Sequence, residues 1–349
     1  MKKNVIKNII GRPHTQKIQK LKNDELIKFL DYNKISLIVI YKDILKKIIF
    51  NTFRFINNLS THIIKKENRH IKNVEAKYDT IAGSYIEKER KKNTFIAEIN
   101  NDAFKVNGSH FESNRYYLRK IIEHLNPKSI LEVGSGELTT FCEINKNLKK
   151  RDLHAIDVSW SRLYLGRKYA NHKKVKLSSL SSSLANELPF KNNSIDLIYT
   201  SYCLEQTPNS LIEILREFER VSKKYVILLE PSFKFGTKLS RRYIKIKGYP
   251  RNYDEVINKT NFEIILNEPL PIKSYINGGE LIILRKKNDG KKNNSKIVCP
   301  NCKNPLSKKN NFLICRNEKI AYPILDKIPL LKKSNGIRCD GIFKNLRFK

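Results

Sequence analysis

The chain has 349 residues, of which 40% are apolar and 30% charged, enough to build roughly two globular domains and too apolar for a disordered polypeptide. Its 69 Lys and Arg against 34 Asp and Glu give a net charge of +35, which raises nucleic acid or an anionic membrane as a partner. Lysine is equally abundant in segments patterned as core, so most of the excess reads as a solvated basic surface. The longest apolar run near the start, Ile35 to Tyr41, is far shorter than the ~20 residues needed to span a bilayer. Met1-Lys2-Lys3-Asn4 leads into no secretory pattern, which predicts a cytoplasmic protein.

Residues 1–70 read as a basic helical extension. Gly11-Arg12-Pro13-His14-Thr15 precedes a helical stretch from Asp24 to Leu30 that would suit a small DNA-binding module, but no recognition helix follows it. Between residues 41 and 56, Tyr41, Ile44, Leu45, Ile48, Ile49, Phe53 and Ile56 fall at helical spacing with lysines on the flanks. This amphipathic helix is expected to pack on the main domain, with peripheral membrane contact as the alternative.

Over residues 71–288 strand-like and helix-like segments alternate, the pattern of a doubly wound α/β domain with a Rossmann-like sheet of seven strands. Strands are predicted at Ser129 to Val133, Leu153 to Asp157, Lys174 to Leu177, Ile195 to Thr200, Tyr225 to Leu229, Phe262 to Leu266 and Glu280 to Leu284. Helices are predicted over Tyr116 to Leu125, stopped by Pro127, over Leu138 to Leu148, and over Leu211 to Val221. The last two strands meet through Asn277-Gly278-Gly279 with no helix between them, which implies an antiparallel hairpin at one sheet edge.

The most informative stretch is Ile130-Leu131-Glu132-Val133-Gly134-Ser135-Gly136-Glu137, a buried strand entering a glycine-rich turn before a helix. Gly134 and Gly136 allow a sharp turn and let a ligand approach main-chain N–H groups. Asp157 ends the next strand about 20 residues later, where a carboxylate can accept both hydroxyls of a ribose. A dinucleotide site shares these features but requires a spaced third glycine that is absent here. Cys142 and Cys203 read as buried, inert thiols.

Glu132-Val133-Gly134-Ser135-Gly136, the Asp157 strand end, Leu188-Pro189-Phe190 before Ile195-Asp196-Leu197-Ile198, and Tyr78-Asp79-Thr80-Ile81-Ala82-Gly83-Ser84-Tyr85 occur in an order that resembles the class I S-adenosylmethionine-dependent methyltransferases. The resemblance implies S-adenosylmethionine as cofactor, held by Glu132, Gly134, Ser135, Gly136, Asp157, Val158 and Ala185, with Tyr85 in a helical segment that caps it. Two departures stand out: Leu184 lies close to where relatives carry an acidic residue for the adenine amino group, and Gln206 stands where they often have His. Missing its third glycine, the turn itself is expected to be tighter or differently shaped. Methyl transfer needs alignment more than elaborate chemistry, and Tyr202, Glu205 and Gln206 after the fourth strand are the acceptor-side candidates. The competing reading of these three is packing and helix capping.

A Lys, Asn, Asp and Gly-rich linker, residues 289–295, precedes a second unit over 296–335 and a basic tail over 336–349. Its Cys299-Pro300-Asn301-Cys302 knuckle and the run Ala321-Tyr322-Pro323-Ile324 resemble the small zinc-ribbon-like activator subunit of RNA and protein methyltransferases. Cys299, Cys302 and Cys315 with Glu318, where a fourth cysteine is missing, compose a candidate zinc set, with Cys339 as another fourth ligand. The alternative is a metal-free unit held by Leu306, Phe312, Ile314, Tyr322, Ile324, Ile328 and Leu330, expected to dock on the larger domain because so small a unit is marginal alone. The chain is therefore read as an S-adenosylmethionine-dependent methyltransferase acting on a small molecule, sugar or lipid. RNA or a protein is the alternative acceptor, a non-catalytic scaffold a second alternative, and the oligomeric state is left open.

Overall fold

The computed structural model describes residues 6–8, 18–20, 22, 74–90, 94–99, 102–107, 110–146, 148, 151–276, 278–288 and 292–343. The helices expected over 24–30 and 41–56 lie outside them. The central sheet contains β1 (Ser129–Val133), β2 (Asp152–Asp157), β3 (Ser179–Ser182), β4 (Ile195–Ser201), β5 (Ser222–Pro231), β6 (Phe262–Pro269) and β7 (Gly279–Lys286), in the order β3-β2-β1-β4-β5-β7-β6. The first five are parallel, and β7 runs antiparallel to both β5 and β6, so the closing hairpin forms as expected. Strand order reverses between β1 and β4, which opens a crevice at their carboxyl ends.

Alternation along each central strand builds two cores. Ile130, Leu197, Leu281 and Ile283 face one side of the sheet, and Leu131, Val133, Ile282 and Leu284 face the other. The first side is covered by α2 (His110–Leu125), α3 (Thr139–Asn145) and α4 (Trp160–His172), the second by α5 (Leu211–Val221) and α7 (Tyr253–Ile257). A further helix, α6 (Lys238–Lys247), follows β5, and α1 (Ser84–Arg90) precedes α2. Each fully buried Leu, Ile or Phe in these layers contributes about 1.5–3 kcal/mol.

Three sequence expectations need correction. The third strand is Ser179–Ser182 and not Lys174 to Leu177: Lys174 adopts φ 57° just after α4, so that stretch is the turn out of the helix. The true strand is a serine-rich edge with little β-propensity, tied instead by side-chain bonds such as Ser179 Oγ to His154 Nδ1 at 2.7 Å. The extension is not helical throughout: Ile18–Lys20 is a strand paired with Asp102–Asn107, and Ile6 is fully buried in the main core. That strand joins Thr94–Ile99 and Lys273–Ser274 in a small antiparallel sheet that the sequence pattern did not reveal. At the far end, Ile337–Arg338 pairs with Ile320–Ala321, so the second unit extends past residue 335.

That second unit docks on the β3 edge. Leu331 N donates to Ser182 O at 2.7 Å, Val298 N to Pro189 O at 2.9 Å, and Lys303 Nζ to Leu188 O at 3.1 Å. Trp160 Nε1 reaches Leu325 O at 3.3 Å, and Arg167 pairs with Asp326. The linker follows the surface of the larger domain, with Asn293 N on Asn193 O at 2.8 Å. Tyr322 sits in the small core with Cys299, Cys315 and Leu331. Two members of the expected core lie elsewhere: Phe312 is 38% exposed, and Ile328 is buried in the core of the larger domain.

Candidate cofactor cleft and cysteine cluster

The glycine turn is shaped by positive φ angles of 74° at Gly134, 51° at Gly136 and 57° at Leu138. Leu138 thus holds the left-handed backbone that a third glycine would supply, a conformation costing a non-glycine residue roughly 1–2 kcal/mol. Its buried side chain packs over Gly166 of α4, where a Cβ would lie 3.0 Å from Leu138 Cγ and 2.8 Å from the Glu137 carbonyl carbon. The turn therefore keeps the glycine geometry and is not tighter; the space saved by a missing side chain has moved to the facing helix.

The turn's N–H groups do not face a ligand. Gly134 N and Ser135 N donate to Ile156 O at 2.9 and 3.0 Å, and Gly136 N donates to Asp157 Oδ2 at 2.8 Å. A Cβ on Gly134 would fall 2.2 Å from Cys203 Sγ, and one on Gly136 2.3 Å from the Arg162 guanidinium. Both glycines make room for the chain's own side chains. Asp157 Oδ1 also accepts from Ser159 N at 2.9 Å, so this carboxylate braces two loops and keeps lone pairs for further donors.

Around these residues lies a cavity of about 260 Å³ whose lining includes Glu132, Gly134, Ser135, Asp157, Val158 and Ala185. Tyr85, Tyr202, Glu205 and Gln206 line it as well. Gly136 is buried against it through Arg162, which is itself part of the wall. Glu132 is 2% exposed and its Oε2 finds no hydrogen-bond partner among the described residues. Burial pushes this carboxyl up to about 8. An orphaned buried oxygen, a carboxylate with spare lone pairs and an open space between them fit the amino and ribose groups of S-adenosylmethionine.

Tyr78 and Tyr85 close the cavity from a helix over residues 74–80 and from α1. Glu137 holds this cap by accepting from Tyr85 N at 3.1 Å and Ile86 N at 2.8 Å, while Arg162 pairs with Glu137 at 3.5 Å and lies 4.5 Å from the Tyr85 ring centroid. Asp79 Oδ1 accepts from Ser159 Oγ at 2.5 Å, and Lys332 of the docked unit pairs with Glu75. Arg115, bidentate with Glu89 at 2.7 and 2.8 Å, forms another wall. Sequence reading missed Arg115 and Arg162, since single arginines in a lysine-rich chain carry no signal. Asn186, two positions past Leu184, lines the cavity and brings an amide to it.

Of the three candidates after the fourth strand, Tyr202 has φ 54°, packs edge-on against Phe111 at 6.3 Å and has its phenol pushed up by burial. Its hydroxyl lies where a Cβ on Gly279 would come within 2.6 Å, so it points to the β7 start. Glu205 is 8% exposed with Oε1 accepting from Gln206 Nε2 at 2.9 Å. Beneath them Glu230, absent from the sequence-derived set, accepts from Cys203 N and Leu204 N at 3.2 and 3.1 Å. An acid at the end of the apolar run Val226 to Leu229 was its one visible signal.

Burial pushes Glu230 from 4.5 to about 8. Between those values the folded state holds a proton that the unfolded chain has released, so stability is full below pH 4.5 and falls as pH rises toward 8. Glu230→Gln is expected to remove roughly a third of that fall, on the order of a few kcal/mol, the rest belonging to Glu132 and to Glu280, which burial raises to about 7. Thermal unfolding of both proteins between pH 5 and 8.5, about the range concerned, checks this; parallel curves would refute it.

In the docked unit the sulfurs of Cys299, Cys302 and Cys315 lie within 4.8 Å of one another, a set that could hold zinc. Glu318 is not gathered with them, because its carboxylate accepts from Asn301 Nδ2 at 2.5 Å. Cys339 is also outside the group and donates its N–H to Lys319 O at 2.9 Å.

Comparison with known proteins follows the same division. Residues 130–225 match the family model for a methyltransferase domain, and residues 297–326 that for Trm112p-like proteins. The UPF0434 protein HEAR2489 of Herminiimonas arsenicoxydans is 54% identical over 37 residues, 10% of this chain and 63% of that protein. The putative methyltransferase YrhH of Bacillus subtilis is 30% identical over 118 residues, 31% of this chain and 64% of that protein. The chain thus spans 63% and 64% of the length of these two curated relatives. A UPF0434 protein of Shewanella piezotolerans is 51% identical over 42 residues, covering 12% of this chain and 74% of its own length. Among solved structures, magnesium protoporphyrin IX methyltransferase from Synechocystis with bound S-adenosylmethionine superposes at a TM-score of 0.42 with 9% identity, over 66% of this chain and 100% of that one. Residues 130–225 thus form a methyltransferase domain. The C-terminal unit is a Trm112p-like domain of the UPF0434 type. No helix among the described residues is long and apolar enough to cross a membrane.

Proposed function

We propose that this protein transfers the methyl group of S-adenosylmethionine to a small-molecule, sugar or lipid acceptor. The observation that carries the reading is the meeting of Glu132, Asp157 and Glu205 around one half-open cavity, the first two suited to the cofactor and the third to an acceptor. When bound, the cofactor supplies an electrophilic methyl group. Asp157 and Glu132 hold its ribose and amino groups, and the segment with Tyr78 and Tyr85 excludes water. Glu205 accepts the proton that an acceptor hydroxyl or amine releases, and Gln206 orients that carboxylate through their 2.9 Å bond. Tyr202, its phenol raised by burial, shapes the wall and is not a base.

Calorimetry with S-adenosylmethionine should give saturable binding on the order of −8 kcal/mol, and none with a nicotinamide dinucleotide. No saturable heat with the former would leave the scaffold alternative standing. Lys332 joins Glu75 of the cap to the docked domain, so that domain supports the cap over the cleft as well as the sheet edge.

A further inference from the structure

The wall of the cofactor cavity holds two arginines, and only one of them is spent. Arg115 donates to both oxygens of Glu89 and to the hydroxyls of Thr139 and Thr140, at 2.7 to 3.3 Å. Arg162 is nearly as buried, at 8% exposed, yet its guanidinium forms no hydrogen bond to any described residue. Its Nε stands 3.5 Å from Glu137 Oε1, beyond the ordinary hydrogen-bond range, while Glu137 Oε2 is taken by Tyr85 N and Ile86 N. A buried group with five N–H donors and no acceptor is costly unless something supplies one.

The chain holds this guanidinium in place without spending its donors. Ser159 Oγ accepts from Arg162 N at 3.2 Å and fixes the first turn of α4 directly after Asp157, so the ribose carboxylate and the guanidinium rise from one short segment. The Tyr78 and Tyr85 ring centroids lie 5.0 and 4.5 Å from the guanidinium carbon, cation–π contacts that need no N–H to oxygen bond. Gly136 opens the space, since a Cβ there would come within 2.3 Å of Nη2 and 2.9 Å of Nη1. Nε faces Glu137, and the Nη edge is left over.

A guanidinium positioned by packing, with two Nη groups unspent, is a fork for a planar anion. S-adenosylmethionine carries one anionic group, its α-carboxylate, and the contacts of Asp157 with the ribose and Glu132 with the amino group leave that carboxylate without a partner. We propose that Arg162 binds the α-carboxylate of S-adenosylmethionine through its Nη groups. This deepens the methyltransferase reading and rests on it. The bond turns an orphaned buried cation into a charge-assisted pair. It forms beneath Tyr78 and Tyr85 and beside Glu137, which holds the cap, so the cofactor completes the cap from inside.

Calorimetry of the full chain with S-adenosylmethionine and with its decarboxylated form is the test. The decarboxylated compound carries one more net positive charge, so acidic side chains alone would favour it. The parent protein should instead prefer S-adenosylmethionine by at least about tenfold. Arg162→Gln should lose most of that preference by weakening S-adenosylmethionine, with affinity for the decarboxylated compound within about twofold of the parent. Arg162→Lys keeps the charge and loses the fork, so it should retain part of the preference, and it reads the same ratio where the glutamine variant does not fold. A merely loosened cap would weaken both ligands alike. Equal affinities in the parent overturn the proposal before any variant is made. So does a parallel loss of both ligands in folded Arg162→Gln, or a preference that survives there at parent strength, which would pass the carboxylate to Arg115. A parent that binds neither compound strikes the methyltransferase reading itself, and this proposal with it.

Discussion

Asp157→Ala is expected to weaken S-adenosylmethionine binding at least about a hundredfold, near 2.7 kcal/mol. Two losses combine. The carboxylate is removed from the ribose position, and the two main-chain donors it accepts from, Gly136 N at 2.8 Å and Ser159 N at 2.9 Å, are left unpaired in a buried place. Each orphaned donor costs about 1–3 kcal/mol, so the turn after β1 and the start of α4 loosen together. Asp157→Asn keeps the shape and one acceptor oxygen but sets an amide against a backbone N–H, so an intermediate loss is expected. Calorimetry on the three proteins decides, and an unchanged dissociation constant for Asp157→Ala would show that the cofactor does not lie here.

Ending the chain after Ser295 should cost the larger domain much of its stability. Ile328 is fully buried in the core of that domain, and Val298 and Leu331 are 2% and 0% exposed at the junction. Removing them uncovers apolar area worth about 1.5–3 kcal/mol for Ile328 alone and frees the β3 edge, a ready template for unwanted pairing. A fall in Tm of more than about 10 °C, or aggregation on expression, is the expected outcome. The milder Ile328→Ala should cost about 2–5 kcal/mol without exposing the edge, measured by chemical unfolding. A truncated chain as stable as the parent would mean that the two domains merely touch.

Legibility in the sequence followed the physics of each element. Strands buried on both faces carry apolar runs, so β1, β4, β5 and β7 could be read directly, and the half-buried edge strand β6 through Phe262, Ile264, Ile265 and Leu266. β3 could not, because its serines are stabilised by a neighbouring domain and by side-chain hydrogen bonds that no local propensity encodes. The hairpin of Thr94–Ile99 and Asp102–Asn107 was missed because its partners, Ile18–Lys20 and Lys273–Ser274, are distant in the chain. In the cleft, Glu132, Asp157 and the glycines belong to one contiguous pattern. Glu230, Arg115 and Arg162 act through long-range pairing, which becomes visible only when the strands are assembled. Glu318 was a reasonable ligand by spacing alone, yet its carboxylate is turned toward Asn301.

Docking of the Trm112p-like domain rests on a few backbone bonds, one deeply inserted isoleucine and several ion pairs, modest for two free proteins. Within one chain the association is intramolecular, at an effective concentration in the millimolar range for a short connection. The complex therefore survives dilution that would separate independent subunits, and its two parts are always made in equal number.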